Sequence, residues 1–174
     1  HSTQAIAPLC ETTPMPLRKD ALAAFAEVVL AVEKAARDHG PNAVGTIGEI
    51  RVDNPSRNVI PGDLSFTVDV RSSKILDSLH AAIQSAVAEI ATRRKVSIDL
   101  KQIWRKEPTV FTPALVDAVE AAAKEMGYSY RRITSGAGHD ACNLATVIPA
   151  AMIFVPCKDG ISHNELEDAT QADC

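Results

Sequence analysis

No stretch of this sequence is both long and apolar enough to cross a bilayer, so no membrane helix is expected. The first residues, HSTQAIAPLCE, also lack the basic and apolar regions of a secretion signal. A cytoplasmic protein is the default expectation. Basic charge is not in excess either: 18 Lys and Arg stand against 22 Asp and Glu, and the net charge is -4. Without a basic stripe, a nucleic-acid partner is not expected. Cysteine is scarce, and Cys10, Cys142, Cys157 and Cys174 show neither a C-x-x-C pairing nor zinc-finger spacing. Reduced thiols are expected. Internal repeats and low-complexity tracts are missing too. What is there, 174 residues with 46% hydrophobic and 23% charged side chains, suits a globular chain of one ordinary domain or two small ones. The chain starts without Met and stops soon after a polar cluster, so a fragment of something larger is expected.

The periodicity separates two parts. Residues 1–11 show no clean pattern, and the prolines of Thr12-Thr13-Pro14-Met15-Pro16 stiffen the entry to a helix. From Arg18 to His39 the pattern is helical, with Leu22, Phe25, Ala26, Val29 and Leu30 at three- and four-residue steps. Gly40-Pro41 ends it. Val44–Val52 reads as a strand, and in 64–70 Leu64, Phe66, Val68 and Val70 alternate with polar residues. A second helix over Lys74–Arg94 buries Ile75, Leu76, Leu79, Ile83, Val87 and Ile90, and Val96–Trp104 alternates again. If residues 1–10 supply a first strand, residues 1–106 form a ferredoxin-like split β-α-β domain. Residues 107–174 then read as an α/β segment too small to bury a core alone. It has a helix over Pro113–Met126 closed by Gly127, strands at Tyr128–Ile133 and 150–155, and a short helix near Asp140–Ala145. The fold class is mixed α/β.

The stretch from Ser135 to Glu165 carries the chemistry-bearing residues. A loop of small residues, Ser135-Gly136-Ala137-Gly138-His139-Asp140, opens it, and Ser162-His163-Asn164-Glu165 closes it. Glycines let a backbone approach a ligand closely, because no Cβ stands in the way. The same residues also suit a strand-to-helix turn with His139 as its cap and His163 in solvent. His139 lies three positions before Cys142, so a thiol nucleophile at Cys142 or Cys157 with a histidine base is a further possibility.

Four blocks together resemble the metal-dependent amidohydrolases that act on N-carbamoyl amino acids: N-carbamoyl-L-amino-acid hydrolases, β-ureidopropionases and allantoate amidohydrolases, related to dizinc aminoacylases and carboxypeptidases. The blocks are Thr12-Thr13-Pro14-Met15 with Arg18, Asp20 and Ala21; Asn58-Val59-Ile60-Pro61-Gly62 running to Asp69-Val70-Arg71; Ser135 to Ala141; and Ile161-Ser162-His163-Asn164-Glu165. The resemblance implies that residues 1–106 are a lid and dimerisation domain. Residues 107–174 would be the end of a catalytic domain. It implies that His163 is a metal ligand, for zinc or manganese, and that Asn58 and Arg71 hold the substrate. It also implies that Gly136, Ala137 and Gly138 line the substrate pocket. A homodimer and a small N-carbamoyl amino acid substrate follow from the same likeness.

Two departures qualify it. The family's His-Ala-Gly block, whose His polarises the scissile carbonyl, is Leu9-Cys10-Glu11 here, and Leu9 has no side-chain hydrogen bond to give. The other metal ligands and the catalytic Glu belong to upstream blocks that this sequence does not contain. One His cannot hold a two-metal centre. The chain alone is therefore expected not to hydrolyse carbamoyl amides, and no catalytic residue is assigned. The competing expectation is a non-catalytic dimerisation or binding module built on the lid.

Overall fold

The computed structural model describes residues 2–4 and 13–173. Leu9-Cys10-Glu11, His1 and Cys174 lie outside them. The chain divides into two compact units, residues 1–108 and 109–174.

In the first unit the elements run β1 (Ser2–Gln4), α1 (Ala21–Asp38), β2 (Ala43–Thr46), β3 (Ile50–Val52), β4 (Asp63–Phe66), β5 (Asp69–Ser72), α2 (Leu76–Arg94) and β6 (Ser97–Asp99). One sheet has the order β3-β4-β1-β6, all antiparallel, and β2 pairs antiparallel with β5 in a separate two-stranded ribbon. The conditional first strand is thus present at Ser2–Gln4, between β4 and β6.

The expected strands at 44–52 and 64–70 are each broken in two, and the register gives the reason. Thr46 faces Asp69 and Ile50 faces Phe66, so three residues of one limb oppose two of the other. That is a bulge at Ile47-Gly48-Glu49, spanned by the Thr67 N–H donating to the Glu49 carbonyl at 3.1 Å. One extra residue inverts the facing of everything beyond it. Ala43 therefore points inward on β2, whereas Val52 does so on β3. The limb from 63 to 72 keeps its alternation, with Leu64 and Phe66 buried and Asp69 and Arg71 together on the outer face.

Helix α1 starts where Asp20 accepts the Ala23 N–H at 2.9 Å, an N-cap one turn from the first buried residues. Its buried stripe is Ala21, Ala24, Phe25, Val28, Val32, Ala35 and Ala36. The expected stripe was rotated from this: Leu22 and Leu30 are 42% and 64% exposed. Small residues occupy the buried face because the helix lies close to its neighbours. A Cβ on Gly45 of β2 would stand only 3.0 Å from Val32 Cγ1. Helix α2 buries Leu79, Ile83, Val87 and Ile90 as its periodicity predicts, and Ile75 packs at its start. Phe25 and Phe66 meet at the centre with ring centroids 4.9 Å apart and planes tilted by 51°.

The two helices are also joined by charge. Glu27 of α1 takes hydrogen bonds from both Arg93 and Arg94 of α2. These bonds, Arg93 first, pull the Glu27 carboxyl from its ordinary 4.5 down to about 2. A depressed carboxyl adds stability above its unfolded value, and that contribution disappears as pH falls through the folded value. Glu27→Gln is therefore expected to be less stable than the parent at pH 7. The gap should close between about pH 4.5 and 2, read by urea midpoints across pH. A gap that persists unchanged at pH 2 would remove Glu27 as its cause.

The second unit holds α3 (Pro113–Glu125), α4 (Asp140–Leu144) and a single 3-10 turn at Lys158–Gly160. Gly127, with φ +73, ends α3. The Tyr128 N–H returns to Ala123 O and the Gly127 N–H to Lys124 O, a pattern that needs a left-handed residue at this position. Arg132 reaches back to Asp117 and Glu120, and Lys124 lies 5.3 Å from the Tyr130 ring centroid, so segment 128–132 lies along the helix. The expected strands at 128–133 and 150–155 do not form ladders. Ala150 is tied to Thr112 by two hydrogen bonds, but Ile153, Phe154 and Val155 beyond it are 72, 48 and 41% exposed. A strand exists only with a neighbour to pair with, and among the described residues none pairs with these segments in a ladder.

Candidate functional site

In the first unit, Asn58 sits in the exposed link between β3 and β4, where its Oδ1 accepts from Ser56 Oγ at 3.3 Å. Arg71 lies on the outer face of β5, two residues from Asp69, so the two side chains share a face. Its guanidinium grips that carboxylate at two points, Nε to Oδ1 at 3.1 Å and Nη2 to Oδ2 at 2.9 Å. The hydrogen bonds from Arg71 hold Asp69 below the usual carboxylate range, and Asp69 raises Arg71 in return. The pair is half exposed, so its worth to stability is only about 0–1 kcal/mol. Chemically, it is a fork already shaped for a carboxylate.

In the second unit, the loop 135–139 is folded on Ser135, whose Oγ accepts the Ala137 N–H at 3.2 Å and donates to Ala137 O at 3.1 Å. His139 then caps α4: its Nδ1 accepts the Ala141 N–H at 3.0 Å. Of the two uses open to His139, the structure has the cap, which commits Nδ1 and leaves it unavailable as a base toward Cys142 in this arrangement. Nothing lies within 4 Å of where a Cβ on Gly136 or Gly138 would be, and neither has a positive φ. No packing inside the unit requires these glycines. Gly136→Ala and Gly138→Ala are therefore expected to leave the thermal midpoint unchanged or slightly raised, equivalent to about 0–1 kcal/mol. A marked fall in midpoint would show that the loop is packed in solution.

His163 is exposed and adopts φ +57, a left-handed conformation uncommon for any residue but glycine. Its Nδ1 lies 2.8 Å from Ser162 Oγ. Its backbone N–H donates to Glu167 Oε2 at 2.6 Å, a contact that reading the sequence for site residues missed. The spacing Asn164-x-x-Glu167 hints at a capped turn, but a capping box would put the Glu167 carboxylate on the Asn164 N–H, so the sequence signal does not point to His163. Among the described residues, no three His, Cys, Asp or Glu side chains gather to hold a metal. A single imidazole does not fit a complete metal centre, which takes three or four protein ligands.

The sequence model of peptidase family M20/M25/M40 matches residues 6–174. The chain belongs to this family. An N-carbamoyl-L-amino-acid amidohydrolase of Rhizobium meliloti is 41% identical over 162 residues, covering 92% of this chain and 39% of that protein. An allantoate amidohydrolase of Escherichia coli is 34% identical over 159 residues, covering 90% of this chain and 38% of its own length. Among solved structures, a hydantoinase/carbamoylase family amidase from Burkholderia vietnamiensis superposes with a TM-score of 0.88 at 47% identity, over 98% of this chain and 42% of that one. The M20 chain described here thus spans about two fifths of the length of these relatives. The mixed α/β class holds, and none of the described helices is long and apolar enough to cross a membrane.

Proposed function

We propose that this chain is the lid and the closing part of the catalytic domain of an amidohydrolase that cleaves the linear amide C–N bond of N-carbamoyl amino acids. The observation that carries the reading is 41% identity to an N-carbamoyl-L-amino-acid amidohydrolase along 92% of the chain. The first unit is the lid and dimerisation domain. Its Arg71 fork exchanges Asp69 for the α-carboxylate of the substrate, and the Asn58 amide supplies a further hydrogen bond to it. In the second unit, Gly136, Ala137 and Gly138 offer backbone without side chains to the substrate. His163 contributes one imidazole toward a divalent metal, zinc or manganese, whose other ligands come from residues outside this sequence. When bound, the metal supplies an activated water for hydrolysis. The working form is a homodimer in the cytoplasm, in keeping with the free Cys142 and Cys157 thiols.

One feature favours a second reading. Leu9 stands where the resembling enzymes carry the His that contacts the scissile carbonyl, which suits a non-catalytic dimerisation module. Assaying the longer polypeptide that contains this chain, loaded with zinc or manganese, against N-carbamoyl-L-amino acids separates the two. Turnover supports the amidohydrolase. A dimer by light scattering with no turnover, even after Leu9→His, supports the module.

A further inference from the structure

We propose that Glu167 is a positioning residue for His163: its carboxylate, by holding the His163 N–H, fixes the left-handed backbone from which the imidazole is presented. The inference rests on the reading that His163 belongs to the functional site.

The loop is closed at its base by the Lys158 N–H donating to Asp168 O at 2.7 Å. Inside it Asn164 acts as the cap of one turn, its Oδ1 accepting the Leu166 N–H at 3.0 Å and its carbonyl accepting the Glu167 N–H at 2.9 Å. That turn carries the Glu167 side chain back over the chain to the His163 N–H at 2.6 Å. Each contact fixes the next, so the backbone at His163 is specified from both sides.

A left-handed conformation at a residue other than glycine costs energy, and such strain persists only where its surroundings enforce it. A carboxylate on a backbone N–H is among the stronger hydrogen bonds available for this. With the backbone so set, Ser162 Oγ meets Nδ1 at 2.8 Å, a contact that engages this ring nitrogen and orients the ring. Glu165, two residues nearer and also acidic, has no contact with the His163 N–H, so acidity alone does not select Glu167.

The test uses the 174-residue chain with no metal added. Amide exchange at His163 and the 15N shifts of its ring are measured by NMR in the parent, Glu167→Ala, Glu167→Gln and Glu165→Ala. The expected result is roughly ten- to a hundred-fold faster exchange at His163 in Glu167→Ala, with displaced ring shifts. Glu167→Gln, which keeps an acceptor, should recover part of both, and Glu165→Ala should match the parent. Resonances of α3 should stay in place throughout, which excludes general unfolding of the unit. Unchanged His163 exchange and ring shifts in Glu167→Ala would overturn the proposal. The same variants in the longer polypeptide test the reading beneath it. If the ring shifts move yet turnover is unaltered, the positioning stands and the functional placement of His163 fails.

Discussion

Phe66→Ala is expected to destabilise the first unit by about 3–5 kcal/mol, the largest stability effect of any single substitution considered for this chain. Phe66 is 2% exposed on β4, and its ring packs on Phe25 of α1. Truncation removes the burial of an aromatic ring and leaves a cavity between sheet and helices. The backbone there is pinned by pairing to β3 on one side and β1 on the other, so the cavity cannot collapse easily. Leu30→Ala is the control. That side chain is apolar and lies on the same helix as Phe25, but it is 64% exposed, and its loss should cost about 1 kcal/mol or less. Urea unfolding followed by circular dichroism, with comparable slopes, measures both. Equal costs at the two positions would contradict the observed phase of α1.

Arg71→Ala should have the largest effect on activity. In the longer polypeptide, kcat/KM for N-carbamoyl-L-amino acids is expected to fall about a hundred-fold or more, mostly through KM. The reason is that a carboxylate remote from the scissile bond is held alike in ground and transition states, so its loss weakens binding throughout. Lys is not expected to rescue, because an ammonium cannot make the planar two-point grip seen between Arg71 and Asp69. Stability should be almost untouched, since the pair is half exposed. Steady-state kinetics beside a thermal midpoint decides it. Unchanged KM in a folded Arg71→Ala protein would take Arg71 out of the substrate site.

How legible each element was follows from its physics. The α2 stripe was readable because Leu79, Ile83, Val87 and Ile90 are large, regularly spaced and buried. The α1 stripe was misphased because its buried face is built largely of alanine, which close packing selects but a hydrophobicity pattern barely registers. The bulge at Ile47-Gly48-Glu49 left only one glycine as a trace, and register between strands is not written in either strand alone. The apolar run at 150–155 suggests a strand but carries no information on whether a partner lies beside it. Asn58, Arg71 and His163 stood out through resemblance rather than periodicity. The Arg71–Asp69 contact is consistent with alternation, which puts i and i+2 on one face of β5, whereas the hold of Glu167 on His163 required seeing the turn.

The most direct measurement is the metal content and hydrolytic activity of the 174-residue chain beside those of the longer polypeptide, each incubated with zinc or manganese and freed of unbound ion. No three His, Cys, Asp or Glu side chains gather among the described residues of the short chain, so it should retain well under one metal per chain and turn over no N-carbamoyl amino acid. The longer polypeptide should retain metal and hydrolyse these substrates, and His163→Ala should lower both. Stoichiometric, tightly held metal with turnover by the short chain alone would contradict the division of the site proposed here.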